Sequence, residues 1–146
     1  MKIYFACSIS GGRQDEAAYQ HLVEFLLKMH IEVPTAHIAE TGIEEVDARE
    51  ESWDIYQRDV NWIRESDLLI AEVSTPSHGV GYEIGYALDL GMPVLCLYNN
   101  RVVVSKMITG NPHPQLRVEA YEDLREAEEF INMFLKTAKE DLDLSR

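Results

Sequence analysis

Short apolar runs recur along the chain, and their length predicts buried β-strands. Four of them lie at 2–8, 68–72, 94–98 and 116–121. Runs of about four to eight apolar residues between turn residues are typical of strands inside a parallel sheet. A weaker run at 31–37 predicts a fifth, shorter strand, which Pro34 interrupts.

Between the strands, apolar side chains recur every three or four residues, which predicts amphipathic helices. These helices lie at 18–29, 53–65, 83–88 and 124–138. Gly91, just before Pro93, ends the third of them. A short helix is also predicted at 101–109, and the polar segment 40–52 predicts either a loop or the weak start of a helix.

Strands that alternate with helices predict one α/β domain over residues 1–146. The expected architecture is a flavodoxin-like three-layer sandwich with a five-stranded parallel sheet. Both cysteines, Cys7 and Cys96, lie in apolar strand segments, as reduced core thiols do. Because no segment is long and apolar enough to cross a membrane, a cytoplasmic protein without a membrane partner is expected.

The charge balance is strongly acidic, at −13, with 13 basic residues scattered along the chain. DNA or RNA binding needs a basic face, so no nucleic acid polymer is expected as a partner. A small phosphorylated ligand stays compatible with this charge, because backbone amides can hold one phosphate without a basic patch.

The segment 74–85 carries the most chemical information, with small residues after a strand and before a helix. Its glycines follow the pattern Gly79-x-Gly81-x-x-x-Gly85, which is one residue longer than the dinucleotide fingerprint. A P-loop lysine is missing, and Ser77 is not in a nucleophile elbow. The five histidines lack metal-ligand spacing, so neither a cofactor nor a metal is expected.

Three polar side chains are candidates for chemistry, each with a plainer alternative. Glu83 is expected in the first turn of its helix, where the helix dipole stabilises a carboxylate by ~0.3–1 kcal/mol and no catalytic role is needed. With its pKa held low there, Glu83 could instead attack a sugar carbon as a nucleophile. Asp59 could form an exposed ion pair, and Tyr4 could simply pack in the core.

Three separated segments resemble the nucleoside 2-deoxyribosyltransferase superfamily, in the branch of the 2'-deoxynucleoside 5'-phosphate N-hydrolases. They read YFACSISGGR at 4–13, QRDVNW at 57–62 and AEVSTPSHGVGYEIG at 71–85. The resemblance extends from the first strand to about Gly110.

The resemblance implies roles for particular residues. Glu83 is the implied nucleophile, Asp59 the acid that assists departure of the base, and Tyr4 the hydroxyl that holds the nucleophile and sugar. Ser105 is implied to reach the phosphate from a partner subunit, so a homodimer with a shared active site is expected. The implied substrate-binding residues are Cys7, Ser8, Ile9, Ser10, Gly11, Gly12, Arg13, His37, Ser77, Gly79, Ser105 and Met107.

The expected function is hydrolysis of the N-glycosidic bond of 2'-deoxynucleoside 5'-monophosphates, giving free base and deoxyribose 5-phosphate. A nucleoside 2-deoxyribosyltransferase and a ribonucleotide N-hydrolase of the CMP type are the alternatives among enzymes. A non-catalytic nucleotide-binding module on the same scaffold is the alternative from another class.

Overall fold

Four parallel strands form the central sheet of the computed structural model, which describes residues 1–144. The strands are β1 (Ile3–Ala6), β2 (Leu68–Glu72), β3 (Val94–Asn99) and β4 (Leu116–Tyr121). They lie in this order across the sheet, each parallel to its neighbour. The four strong apolar runs of the sequence are these strands, so the predicted α/β fold with a parallel sheet is confirmed.

The predicted fifth strand is reduced to a single bridge beside β1, so the expectation of a five-stranded sheet is wrong. At this bridge the Ile3 amide donates to the Glu32 carbonyl at 2.9 Å. The next ladder donor would be the amide of residue 34, but Pro34 has no N–H. The Thr35 hydroxyl takes over, accepting from the Phe5 amide at 3.0 Å and donating to the Phe5 carbonyl at 2.7 Å. Backbone pairing on this side of β1 therefore does not continue beyond the bridge at Glu32.

Six α-helices and one turn of 3₁₀ helix (Ala36–Ala39) connect and cover the strands within the described residues. The helices are α1 (Glu16–Lys28), α2 (Ile43–Asp47), α3 (Ser52–Glu65), α4 (His78–Asp89), α5 (Lys106–Thr109) and α6 (Leu124–Leu144). The helix predicted at 101–109 is therefore confined to its last turn, and the polar segment 40–52 contains α2. No helix in the described part of the chain combines the length and apolar character that a membrane span needs.

Successive strand residues point to opposite faces of the sheet, and each face has its own core. On one face, α1 and α6 cover buried side chains that include Ile3, Phe5, Ile70, Leu95 and Leu97. On the other face, α3 and α4 cover a second set that includes Tyr4, Leu69, Ala71, Val94 and Cys96. Because β2 leads through a short turn into α4, the first turns of α4 lie at the carboxyl edge of the sheet, where parallel α/β proteins bind ligands.

Candidate active site

Glu83 and Asp59 line the same cavity, of about 290 Å³, between α3 and α4. Helical spacing brings the lining together: Gly79, Tyr82 and Glu83 lie on one side of α4 at i, i+3 and i+4. The remaining walls are Ser52, Ile55, Tyr56, Val60 and Ile63 from α3. The two acids singled out in the sequence thus line the same cavity.

Tyr4 fixes the Glu83 carboxyl group through a hydrogen bond, since its hydroxyl donates to Glu83 Oε1 at 2.7 Å. Tyr4 lies on β1 and is only 1% exposed, so the donor has little freedom to move. Burial raises the pKa of Glu83 to about 7; the bond from Tyr4 opposes that shift, and the negative charge of Asp59 adds to it.

Two expectations about Glu83 are therefore wrong. α4 begins at His78, because the Ser77 oxygen caps it by accepting from the Val80 amide at 3.3 Å. Glu83 is consequently the sixth helical residue and lies in the second turn, beyond the reach of the helix N-terminus. Its pKa is raised by burial rather than held low. Gly79 also lies inside the helix and not in a preceding loop.

Asp59 is half-buried and its carboxylate is held from one side. Arg58 Nε donates to Asp59 Oδ1 at 2.9 Å. Burial raises the pKa of Asp59, although the bond to Arg58 and the charge of His37 both act to lower it. His37 packs edge-on against the Trp62 ring, with centroids 5.6 Å apart. The structure therefore brings His37 into the surroundings of Asp59.

The loop after β1 lies against the turn before α4. A Cβ at Gly11 would collide with the Pro76 carbonyl oxygen and lie only 2.8 Å from Ser8 Oγ, so only glycine fits there. Gly12 has a φ of 122°, which also favours glycine. Ser8 is fully buried, and its hydroxyl has no hydrogen-bond partner among the described residues. Ser10, in contrast, is exposed.

Arg13 faces the protein interior and organises this loop. Its guanidinium donates to the carbonyls of Ser8 at 3.1 Å, Ile38 at 2.9 Å and Glu40 at 3.0 Å. Cys7 is buried as well, and Ile9 packs against the core. The structure thus gives Arg13 a role in linking this loop to the segment 38–40.

Ser105 and Met107 lie on the opposite side of α4 from Glu83. They line a second cavity, of about 380 Å³, together with Ser77 and the α4 residues that face away from Asp59. Ser105 caps α5 by accepting from the Met107 amide at 3.2 Å. Within one chain, therefore, these two residues do not meet Glu83.

Two aromatic residues at the cavity were not singled out from the sequence. Tyr56 and Tyr82 face each other across the cavity mouth, with hydroxyl oxygens 3.3 Å apart and ring centroids 6.2 Å apart. Their spacing from the two acids offered a signal, because Tyr56 precedes Asp59 by three positions and Tyr82 precedes Glu83 by one. Within residues 1–144, no three His, Cys, Asp or Glu side chains are grouped closely enough to hold a metal ion.

Comparison with known proteins places this geometry in context. Residues 3–134 match the sequence profile of the nucleoside 2-deoxyribosyltransferase family. A Methanosarcina barkeri protein named as a candidate 2'-deoxynucleoside 5'-phosphate N-hydrolase 1 is 41% identical over 134 residues, 92% of this chain and 84% of that protein. The 5-hydroxymethyl-dUMP N-hydrolase of Rattus norvegicus is 41% identical over 112 residues, 74% of this chain and 68% of the rat protein.

A solved structure shares the architecture. The CMP N-glycosidase of Clostridium botulinum superposes with a TM-score of 0.67 over 90% of this chain and 99% of that chain. The two sequences are 20% identical, so this likeness shows a common fold and nothing about the substrate.

Proposed function

The chain belongs to the nucleoside 2-deoxyribosyltransferase family, and we propose that it hydrolyses the N-glycosidic bond of 2'-deoxynucleoside 5'-monophosphates. The products are the free base and 2-deoxyribose 5-phosphate. One observation carries the proposal: the Tyr4 hydroxyl donates to Glu83 in a cavity that also contains Asp59. The names of the matched relatives, both N-hydrolases, support water as the acceptor.

Glu83 supplies the nucleophile. Because Tyr4 bonds Oε1, Oε2 is the oxygen that attacks the anomeric carbon. The new bond forms as the bond from that carbon to the base nitrogen breaks, and the electron pair leaves with the base. A sugar without a 2'-hydroxyl reaches an oxocarbenium-like transition state relatively easily, and the carboxylate stabilises the developing positive charge.

Asp59 supplies and recovers the proton. In the first step its carboxylic acid protonates the departing base, and in the second its carboxylate takes a proton from the water that hydrolyses the glycosyl ester. Because burial raises the pKa of both Glu83 and Asp59, the pair can retain one proton near neutral pH. The productive form has that proton on Asp59.

The 5'-phosphate is assigned to the loop after β1 and the start of α4. Ser8 contributes a buried hydroxyl without a partner among the described residues, and Ser77 keeps its proton while its oxygen caps α4. Gly11 and Gly79 are both exposed, so their backbones are open to an anion. Binding energy from the phosphate can position the sugar against Glu83, so losing the phosphate should lower the rate as well as the affinity.

A second copy of the chain completes the site in this proposal. Ser105 and Met107 lie across α4 from Glu83 of the same chain, and in this proposal Ser105 reaches the phosphate bound in the site of the other chain. Two apolar side chains here are largely exposed, Val103 at 94% and Met107 at 83%. Exposed apolar side chains grouped beside a cavity often mark a protein interface.

The dimer is tested by mixing chains. The Glu83→Gln and Ser105→Ala variants should each be impaired when assayed alone. Their mixture should regain activity, because hybrid dimers contain one site that carries neither substitution. Sedimentation as a monomer at micromolar concentration would exclude the shared site.

The reaction is tested with a panel of deoxynucleotides, ribonucleotides and deoxynucleosides, with base release followed by chromatography. We expect rapid cleavage of deoxynucleotides, slow cleavage of deoxynucleosides, and no movement of the sugar to an added base.

Glu83→Gln should abolish turnover and keep nucleotide binding, because an amide cannot form the glycosyl ester. Activity of this variant within about tenfold of the parent, ~1.4 kcal/mol in barrier, would refute the nucleophile. Sugar transfer to the added base would favour the transferase.

A further inference from the structure

Arg58 connects Asp59 to the segment between α2 and α3. Its Nε donates to Asp59 Oδ1 at 2.9 Å, and its Nη1 donates to both carboxylate oxygens of Glu50, at 3.0 and 2.9 Å. The guanidinium carbon also lies 5.0 Å from the centroid of the Trp62 ring. The side chain keeps 23% of its surface exposed, so these contacts, rather than deep burial, fix its position.

This arrangement controls how Asp59 can use its two oxygens. Oδ1 accepts from Arg58, which directs the other oxygen, Oδ2, toward carrying a proton. Neighbouring helix residues point about 100° apart, so Arg58 must bend to reach Asp59, and Glu50 holds the far side of the guanidinium in that bent form. The contact with Glu50 thus maintains the contact with Asp59.

We propose that Arg58 is a positioning residue for the reaction: it orients the Asp59 carboxyl and sets the pH range in which that carboxyl keeps its proton. Glu50 moderates the effect by sharing the positive charge. The role in turnover rests on the proposed N-hydrolase activity, whereas the effect on the Asp59 proton does not.

Other groups also influence the Asp59 proton, and they come from four further elements. Asp47 from α2 and His37 from the 3₁₀ helix act on the pKa of Asp59. Tyr4 from β1 and Glu83 from α4 also face it, and the charge of Asp59 raises the pKa values of both. Burial raises the pKa of Asp59 most strongly, and Asp47 adds to the increase. Arg58 opposes it through both its hydrogen bond and its charge, with a further contribution from His37. Removing Arg58 should therefore let the Asp59 carboxyl keep its proton to higher pH.

The experiment measures kcat/KM against pH for base release by the parent, Arg58→Gln and Arg58→Lys. An opposite charge in contact shifts the pKa of a carboxyl group by about one to three units. Because the reaction needs the proton on Asp59, the high-pH limb of the Arg58→Gln profile should move upward by about one pH unit. Arg58→Lys keeps the charge and should stay near the parent. Glu50→Gln keeps an acceptor oxygen for the guanidinium and removes only the competing negative charge, so it should move the same limb downward.

Arg64→Gln is the matched control. It removes the same charge from the same helix, but Arg64 is exposed, donates to the Tyr86 hydroxyl at 2.6 Å and does not line the cavity. Its profile should coincide with that of the parent. A residue with a purely structural role would lower the rate by the same factor at every pH, and this outcome for Arg58→Gln would overturn the proposal.

Carboxyl NMR of aspartate-labelled protein separates the two proposals. The Asp59 resonance should titrate at higher pH in Arg58→Gln than in the parent, whether or not any nucleotide is hydrolysed. If nothing is hydrolysed but the resonance moves, the activity is wrong and the influence of Arg58 on Asp59 stands. If the nucleotide is hydrolysed but the resonance stays in place, the role of Arg58 is refuted.

Discussion

The substitution Tyr4→Phe isolates the bond that prepares Glu83 for attack. It removes one oxygen from a side chain that is 1% exposed and leaves the ring in the core. The lost contact is a hydrogen bond of 2.7 Å to a carboxyl group. Such bonds favour the ionised carboxyl and contribute about 1.5–3 kcal/mol when charged. Glu83 should therefore become harder to ionise.

The size of the effect follows from the pKa of Glu83, about 7 in the parent. Since 1.36 kcal/mol corresponds to one unit, the pKa should rise by about one to two units in Tyr4→Phe. At pH 7 the ionised fraction would fall from about one half to between roughly 9% and 1%, so the rate should fall about 5- to 50-fold. Above the new pKa the two proteins should become equally active.

The assay is kcat/KM for base release between pH 5 and 9.5. Tyr98→Phe is the matched control, because Tyr98 lies on β3 against the same core and lines neither cavity beside α4. A deficit that is constant with pH would mean that Tyr4 acts on the shape of the site and not on the ionisation of Glu83.

Three further predictions concern stability. Burial raises the pKa values of Glu83 and Glu72 to about 7 in the folded chain, from an ordinary value of 4.5. Between these pH values the folded state binds more protons than the unfolded state. The free energy of unfolding should therefore fall as pH rises from 4.5 to 7. Glu83→Gln should remove part of this slope and stabilise the protein by roughly 1–3 kcal/mol at pH 8, but not at pH 4, in urea titrations. Thr35→Ala should lower the free energy of unfolding by about 1–3 kcal/mol because two Phe5 groups lose their partner, whereas Thr35→Ser should lose less. Arg13→Met should cost about 3 kcal/mol or more, seen as a lower Tm, since three carbonyls lose their donor; equal Tm values would contradict this role.

Apolar pattern was sufficient to predict the four strands, because a buried parallel strand is apolar at nearly every position. It failed for the segment after Ile31, since whether that segment joins the sheet depends on a contact between Thr35 and Phe5, 30 positions apart. The same holds for the start of α4. Ser77 is a good capping residue, yet glycines at 79 and 81 weaken the helical signal.

The candidate site was predictable as a set of residues but not as an electrostatic arrangement. The resemblance singled out Glu83 and Asp59, which the fold places in one cavity. Their raised pKa values depend on burial and on charges brought from other elements, which no local pattern contains. The local sequence carried no signal for Arg58, because an arginine beside an aspartate on a helix usually forms an exposed ion pair.

The way Thr35 closes the edge of β1 has a consequence for assembly. An open edge strand offers unpaired amides and carbonyls that another chain can use to extend the sheet. Here one hydroxyl occupies both polar backbone groups of Phe5, and Pro34 on the adjoining segment has no amide to offer. Two copies of the chain therefore cannot merge their sheets through β1. Any dimer would therefore have to use surfaces other than the β1 edge, and this edge is protected from the strand-to-strand stacking that begins fibril growth.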